Sequence, residues 1–177
     1  MNIYLIRHGE TNYNLQHKIQ GRTDTVLNET GIKQAKIAKE QFNKLDIDLI
    51  ICSTLTRAKQ TTSILNEDKQ IKTIYSDLLV ERNFGILEGE YKTEEEFKKL
   101  MKDDSISVKD METLPMLYAR AKEIVDKVIK EYTDKNVCIV THGGFALALE
   151  KYIFEITKNN NTPSHLDNCE IRKYTIN

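Results

Sequence analysis

The apolar run Ile3-Tyr4-Leu5-Ile6 stops abruptly at Arg7 and His8, a cation beside an imidazole, and Gly9 follows to let the backbone turn away. The arrangement returns near the other end of the chain, where Val137-Cys138-Ile139-Val140 runs into Thr141, His142 and the pair Gly143-Gly144. A third apolar run, IDLIICS at 47–53, ends in Ser53, with Arg57 four residues on. Two arginines and two histidines at such ends form a set that fits a phosphoryl group. Its equatorial oxygens need cations and N–H donors, and a nucleophile has to stand in line with the bond that breaks. An imidazole beside arginines is disfavoured as a cation, so its pKa is expected below the usual value of about 6.5, leaving a neutral nitrogen able to attack phosphorus.

Other chemistries fit less well. No His-x-x-x-His spacing or carboxylate cluster supports a metal site, and an adjacent arginine repels a divalent cation. Neither G-x-G-x-x-G nor a Walker A motif occurs, so the glycines do not read as a nucleotide loop. No metal and no cofactor is expected. The 26 Lys and Arg nearly cancel the 27 Asp and Glu, so no global field recruits nucleic acid or an anionic membrane. Nothing at the N-terminus resembles a signal peptide, and no apolar run approaches the roughly 20 residues of a bilayer span. Cys52, Cys138 and Cys169 are isolated and read as reduced packing residues of a cytoplasmic protein. His17 and His165 read as structural hydrogen-bonders.

The elements that must position these groups alternate along the chain. Strands are expected at 2–7, 47–53, 71–76 and 136–141, with an alternating edge strand at 170–176. A helix is expected through NETGIKQAKIAKEQFNKL, with Ile32, Ala35, Ile37, Ala38 and Phe42 inward, and another through TLTRAKQTTSILNE, with Leu55, Ala58, Ile64 and Leu65 inward. A small charged helix at 93–104, a longer amphipathic one at 113–132 opening on Pro115, and FALALEKYIF complete the set. This alternation predicts an α/β fold: a three-layer α/β/α sandwich with a mostly parallel central sheet and an antiparallel edge strand. Residues 1–177 read as one domain, with the charged stretch 82–112 as a small lid excursion. In such sheets the ligand crevice lies beyond the carboxyl ends of the strands, where Arg7-His8, Ser53 with Arg57, and His142-Gly143-Gly144 all fall.

LIRHGETNYN resembles the signature of the histidine phosphatase superfamily, the phosphoglycerate-mutase-like proteins. The likeness continues in order through QGRTDTVLNETGIKQA, CSTLTRAKQTT, ERNFGILEG and IVTHGG, nearly the whole chain. The resemblance implies that His8 is the nucleophile that becomes phosphohistidine, with Arg7, Arg57 and His142 as the rest of the phosphate pocket. It also implies that Glu81 gives its proton to the leaving oxygen, that Asn14 and Gly143 contact the bound ester, and that Gln20 and Gly21 line the substrate entrance.

A mutase must hold a bisphosphorylated intermediate away from water, which calls for a sizeable closing lid and several cations for the substrate's second charged group. The excursion after Glu81 is short, and RNFGILEG lacks the His-Tyr that the mutases carry after the position of Arg82; it is more similar to the broad-specificity and ribazole-type phosphatases. The expected function is therefore metal-independent hydrolysis of small phosphomonoesters, with a small phosphorylated metabolite as the partner. Phosphoglycerate mutase is the alternative, and a non-catalytic member that binds a phosphate ligand or a protein is a third. The joint presence of a nucleophile and an acid argues against the third. Nothing in the sequence marks an oligomeric state.

Overall fold

The computed structural model describes residues 1–103 and 105–176. Its elements are β1 (Asn2–Arg7), α1 (Asn12–Leu15), α2 (Glu29–Phe42), β2 (Leu49–Ser53), α3 (Thr56–Leu65), β3 (Thr73–Ser76), α4 (Glu94–Leu100), α5 (Leu114–Glu131), β4 (Asn136–Thr141), α6 (Gly143–Ile156) and β5 (Ile171–Thr175). Single 3-10 turns lie at Asp77–Leu79 and Gly85–Leu87. The sheet order is β3-β2-β4-β1-β5, parallel throughout except for β5, which runs antiparallel along the edge beside β1.

Strand side chains alternate between two helical layers. Ile3, Leu5, Leu49, Ile51, Val137 and Ile139 pack with Leu117, Ile124, Val128, Phe145 and Leu149 of α5 and α6. Tyr4, Ile6, Ile50, Cys52, Cys138 and Val140 pack with Ala35, Ala38, Phe42, Ala58 and Leu65 of α2 and α3. Cover on both faces is why these strands read as continuous apolar runs. Cys52, Cys138 and Cys169 are free and buried, and burial pushes the Cys52 thiol up to about 12, so they pack as small apolar groups. Among the described residues no helix is long and apolar enough to cross a membrane.

The structure departs from the expected inward faces in α2 and α3. The buried stripe of α2 is Gly31, Ala35, Ala38 and Phe42, which leaves Ile32 37% and Ile37 71% exposed. Ile37 lies two positions from Ala35, nearly opposite it at about 100° per residue. Leu55 is the N-cap of α3 and is half-buried, as is Ile64, while Arg57, Thr61 and Thr62 take buried places. Boundaries shift by a few residues: β2 opens at Leu49, β3 at Thr73, and α6 two residues before Phe145. Helix α4 ends at Leu100, and residue 104 of the expected helix lies outside the described residues. The short helix α1 lies in a stretch where the sequence pattern marks no helix; a reciprocal cap between Thr11 and Asn14 opens it.

The excursion has a small core of its own, where Phe84 and Leu100 pack with Ile19 against Leu87, Phe97 and Met111. Backbone hydrogen bonds fasten it to the loop after α1, from Ile19 N to Glu90 O at 2.9 Å and from Gly89 N to Ile19 O at 2.8 Å.

Candidate active site

β1, β4 and β2 end side by side: Arg7 pairs with Thr141, and Cys52 with Val140. His8 therefore emerges next to His142, its N–H bonded to Thr141 O at 3.0 Å. The His8 ring is buried, with Nδ1 2.7 Å from Gly9 O. A carbonyl only accepts, so Nδ1 carries the hydrogen and Nε2 keeps its lone pair. Asn168 Nδ2 holds the His8 carbonyl at 2.7 Å and Thr61 Oγ1 takes the Gly9 N–H at 3.0 Å. Gly9 is required by space rather than by a turn, because a Cβ there would lie 2.6 Å from Gly31 O, where α2 begins.

Arg57, fully buried, ties the two imidazoles together. Its Nε–H lies 3.2 Å from both His8 Nε2 and His142 Nδ1, while its other nitrogens donate to Thr23 O at 2.9 Å and Gly21 O at 2.8 Å. An arginine only donates, so His142 Nδ1 accepts and its Nε2–H goes to Ser53 Oγ at 2.7 Å. Burial first, then the positive charges of Arg57 and Arg7, hold His8 well below the ordinary histidine range. His142 is lowered by burial and Arg57 in the same way. Burial brings Arg57 itself down to about 10, still a cation at neutral pH.

Arg7 donates through its NH1 to Leu166 O at 3.0 Å and to His165 Nε2 at 2.9 Å. Its Nε is a buried donor with no partner among the described residues. A polar group left so is costly unless a ligand oxygen meets it. A Cβ on Gly143, the first residue of α6, would lie 3.2 Å from this atom.

Glu81 sits in front of α6. Its Oε2 accepts from Gly144 N at 2.8 Å, and its Oε1 from Phe145 N at 2.7 Å and Arg82 N at 2.8 Å. The N-terminal end of α6 thus serves Arg7 on one side and Glu81 on the other.

Of the nine residues predicted for the site, eight line one cavity: Arg7, His8, Asn14, Gln20, Gly21, Arg57, Glu81 and Gly143. His142 lies behind Arg57 rather than on the wall, its ring centroid 5.1 Å from that of His8. Asn14 Oδ1 takes the Thr11 N–H at 3.1 Å, and Gln20 Oε1 takes the Thr25 hydroxyl at 2.6 Å, so in each the amide NH2 remains for the cavity. Gly21 has φ +54°, and a Cβ on it would fall 2.0 Å from Glu88 Oε1.

Sequence reasoning missed several participants. His165, expected to be structural, lines the cavity and accepts from Arg7. Lys18, Ile19, Phe84, Phe97 and Leu147 line it as well. Glu88 is a pin: its carboxylate takes Arg22 N and Thr23 N, both at 2.8 Å, and Thr23 Oγ1 at 2.7 Å, fixing the loop whose carbonyls hold Arg57. Its position inside ILEG was the one available signal. Among the described residues no group of three or more His, Cys, Asp or Glu is placed to hold a metal ion.

Comparison with known proteins identifies the family. The chain belongs to the histidine phosphatase superfamily, branch 1, whose family model matches residues 3–177. It is 41% identical to an uncharacterized phosphatase, PhoE, of Bacillus subtilis over 83% of this chain and 74% of that protein. It is 27% identical to the probable phosphoglycerate mutase GpmB of Yersinia pestis over 98% of this chain and 84% of that protein. Its fold matches a mycobacterial glucosyl-3-phosphoglycerate phosphatase solved with VO3, with a TM-score of 0.85, 26% identity, and 97% and 91% of the two chains covered. The protein is thus an enzyme of a superfamily that holds both phosphatases and mutases.

Proposed function

We propose that the protein hydrolyses small phosphomonoesters by way of a phosphohistidine at His8 Nε2. The observation that carries the proposal is the His8 ring: Nδ1–H is bound to Gly9 O, Nε2 has its lone pair, and burial beside two arginines keeps it neutral.

In the first displacement Nε2 bonds to phosphorus as the ester P–O bond breaks, and the departing alkoxide takes a proton from Glu81. Arg57, the unpartnered Nε–H of Arg7 and the Asn14 amide surround the equatorial oxygens as charge spreads over them. A phosphate oxygen that takes the Arg57 Nε–H removes it from His142 Nδ1, and the dianion favours uptake of a proton from solvent there, turning His142 from acceptor to donor. Glu81 delivers its proton by turning one oxygen from the α6 N–H groups into the cavity. In the second displacement water attacks phosphorus, Glu81 takes the water's proton, and the P–N bond breaks to restore His8. The arginines and His142 do the charge work that would otherwise fall to a metal ion.

Two features support hydrolysis over the mutase reaction. Apart from Arg7 and Arg57, Lys18 is the one lysine or arginine among the described lining residues, which also include the apolar Ile19, Phe84, Phe97 and Leu147. A mutase needs several cations there. The mycobacterial and Bacillus relatives are named phosphatases. The test is phosphorus NMR with 3-phosphoglycerate and glycerol phosphate. Inorganic phosphate as the accumulating product is expected; faster accumulation of 2-phosphoglycerate would make the enzyme a mutase, and inertness toward every ester would make it a binding protein.

A further inference from the structure

Outside the cavity, one guanidinium divides its N–H groups between the turn that carries Glu81 and the carboxylate of Glu112. Arg120 of α5 donates through NH1 to Leu78 O at 2.8 Å and Val80 O at 2.6 Å, and through NH2 to Glu81 O at 3.3 Å. Its Nε and NH2 also grip Glu112 Oε1 and Oε2 at 3.0 and 2.9 Å, a bidentate pair between nearly buried side chains. The guanidinium lies over the Phe145 ring, 4.1 Å from its centroid, and the N–H of that same Phe145 holds Glu81 Oε1. Arg22 joins from the entrance loop, with NH2 on Glu112 Oε2 at 3.3 Å and Nε on Glu81 O at 3.4 Å. One side chain therefore touches both the backbone of Glu81 and the helix residue that grips its carboxylate, without lining the cavity.

We propose that Arg120, braced by Glu112, is the positioning residue for the acid: it fixes the distance between the Glu81 turn and the N-terminal end of α6, and so where the Glu81 carboxyl points. The inference rests on Glu81 being the proton donor. A brace that only held α5 in place would affect every substrate alike. One that aims the acid matters in proportion to how much the leaving group needs a proton.

The experiment compares single-turnover phosphorylation of His8 by glycerol phosphate, whose alkoxide needs the proton, and by p-nitrophenyl phosphate, whose phenolate hardly does. Arg120→Lys keeps a cation for Glu112 but cannot reach three carbonyls or lie flat on Phe145. It is expected to slow glycerol phosphate at least about 10-fold more than p-nitrophenyl phosphate, and to add no further selective loss on top of Glu81→Gln. Selective loss in Glu81→Gln with equal losses in Arg120→Lys overturns this inference alone. Equal losses in both variants overturn the acid assignment and the inference with it. Circular dichroism checks each fold, and if Arg120→Lys does not fold, Glu112→Gln, which keeps shape while weakening the brace, carries the same comparison with the same two outcomes.

Discussion

At the scale of single residues, the pocket is held together by one N–H. Arg57 Nε stands between two imidazole acceptors, and the two outer nitrogens are anchored on the carbonyls of Gly21 and Thr23. Lysine at this position would keep a charge and lose the planar fork that reaches all four partners. Arg57→Lys is therefore expected to lower kcat/KM for p-nitrophenyl phosphate by roughly 10–100-fold, about 1.4–2.7 kcal/mol of transition-state stabilisation. A variant with near-native kcat/KM would place Arg57 outside the reaction. Arg7, His8, Ser53 and His142 were legible in the sequence because each ends an apolar run, and parallel strands bring such ends together. The hydrogen-bond directions were not legible, since they depend on which neighbour accepts and which donates: Gly9 O accepts from one ring, and Arg57 donates to the other.

At the scale of elements, the entrance loop after α1 is shaped by the excursion rather than by its own sequence. Glu88 gathers the N–H groups of Arg22 and Thr23, and Gly21 supplies the left-handed backbone that lets the carboxylate approach. Glu88→Gln puts an amide NH2 against those donors, so the loop should loosen at a cost of about 1–3 kcal/mol. Since Gly21 O and Thr23 O anchor Arg57, turnover should fall by the same factor for alkyl and p-nitrophenyl esters. A loss confined to alkyl esters would instead make Glu88 a proton donor. This link was hidden because a glutamate in a charged stretch reads as solvated, and its partners lie 65 and 66 residues away. The same holds for Arg120 and Glu112, whose partners are carbonyls that no periodicity reveals. Ile37 was misplaced for the opposite reason: helical spacing marks a stripe, and alanines with Gly31 and Phe42 filled it.

At the scale of the whole molecule, burying two neutral histidines makes stability depend on pH. In the unfolded chain both titrate near about 6.5, and in the fold both are held well below that value. Between the two values the unfolded chain binds more protons, so this contribution is complete above about pH 6.5 and is lost as pH falls toward the folded values. The slope approaches about 1.4 kcal/mol per pH unit for each histidine. Urea unfolding at pH 7 and pH 5.5 should show the wild type weakening in acid, and His142→Gln should remove a substantial part of that change. An unaltered pH dependence would mean that His142 is charged in the fold. The pocket as a whole should work without added metal: exhaustive chelation is expected to leave the rate unchanged, and orthovanadate, which can adopt the five-coordinate geometry, to inhibit strongly. Loss of activity on chelation that magnesium or zinc restores would mean that a metal ion, rather than the arginines and His142, neutralises the phosphoryl charge.

All of this turns on His8 as the atom that takes the phosphoryl group. Rapid mixing with a phosphorylated substrate, an alkaline quench within the first turnover and peptide mapping test it most directly. An acid-labile phosphate on the peptide carrying His8, formed and lost at rates that match turnover and absent from His8→Ala, is the predicted result. A His8→Ala enzyme that turns over normally, or a phosphate trapped on a different residue, would contradict it.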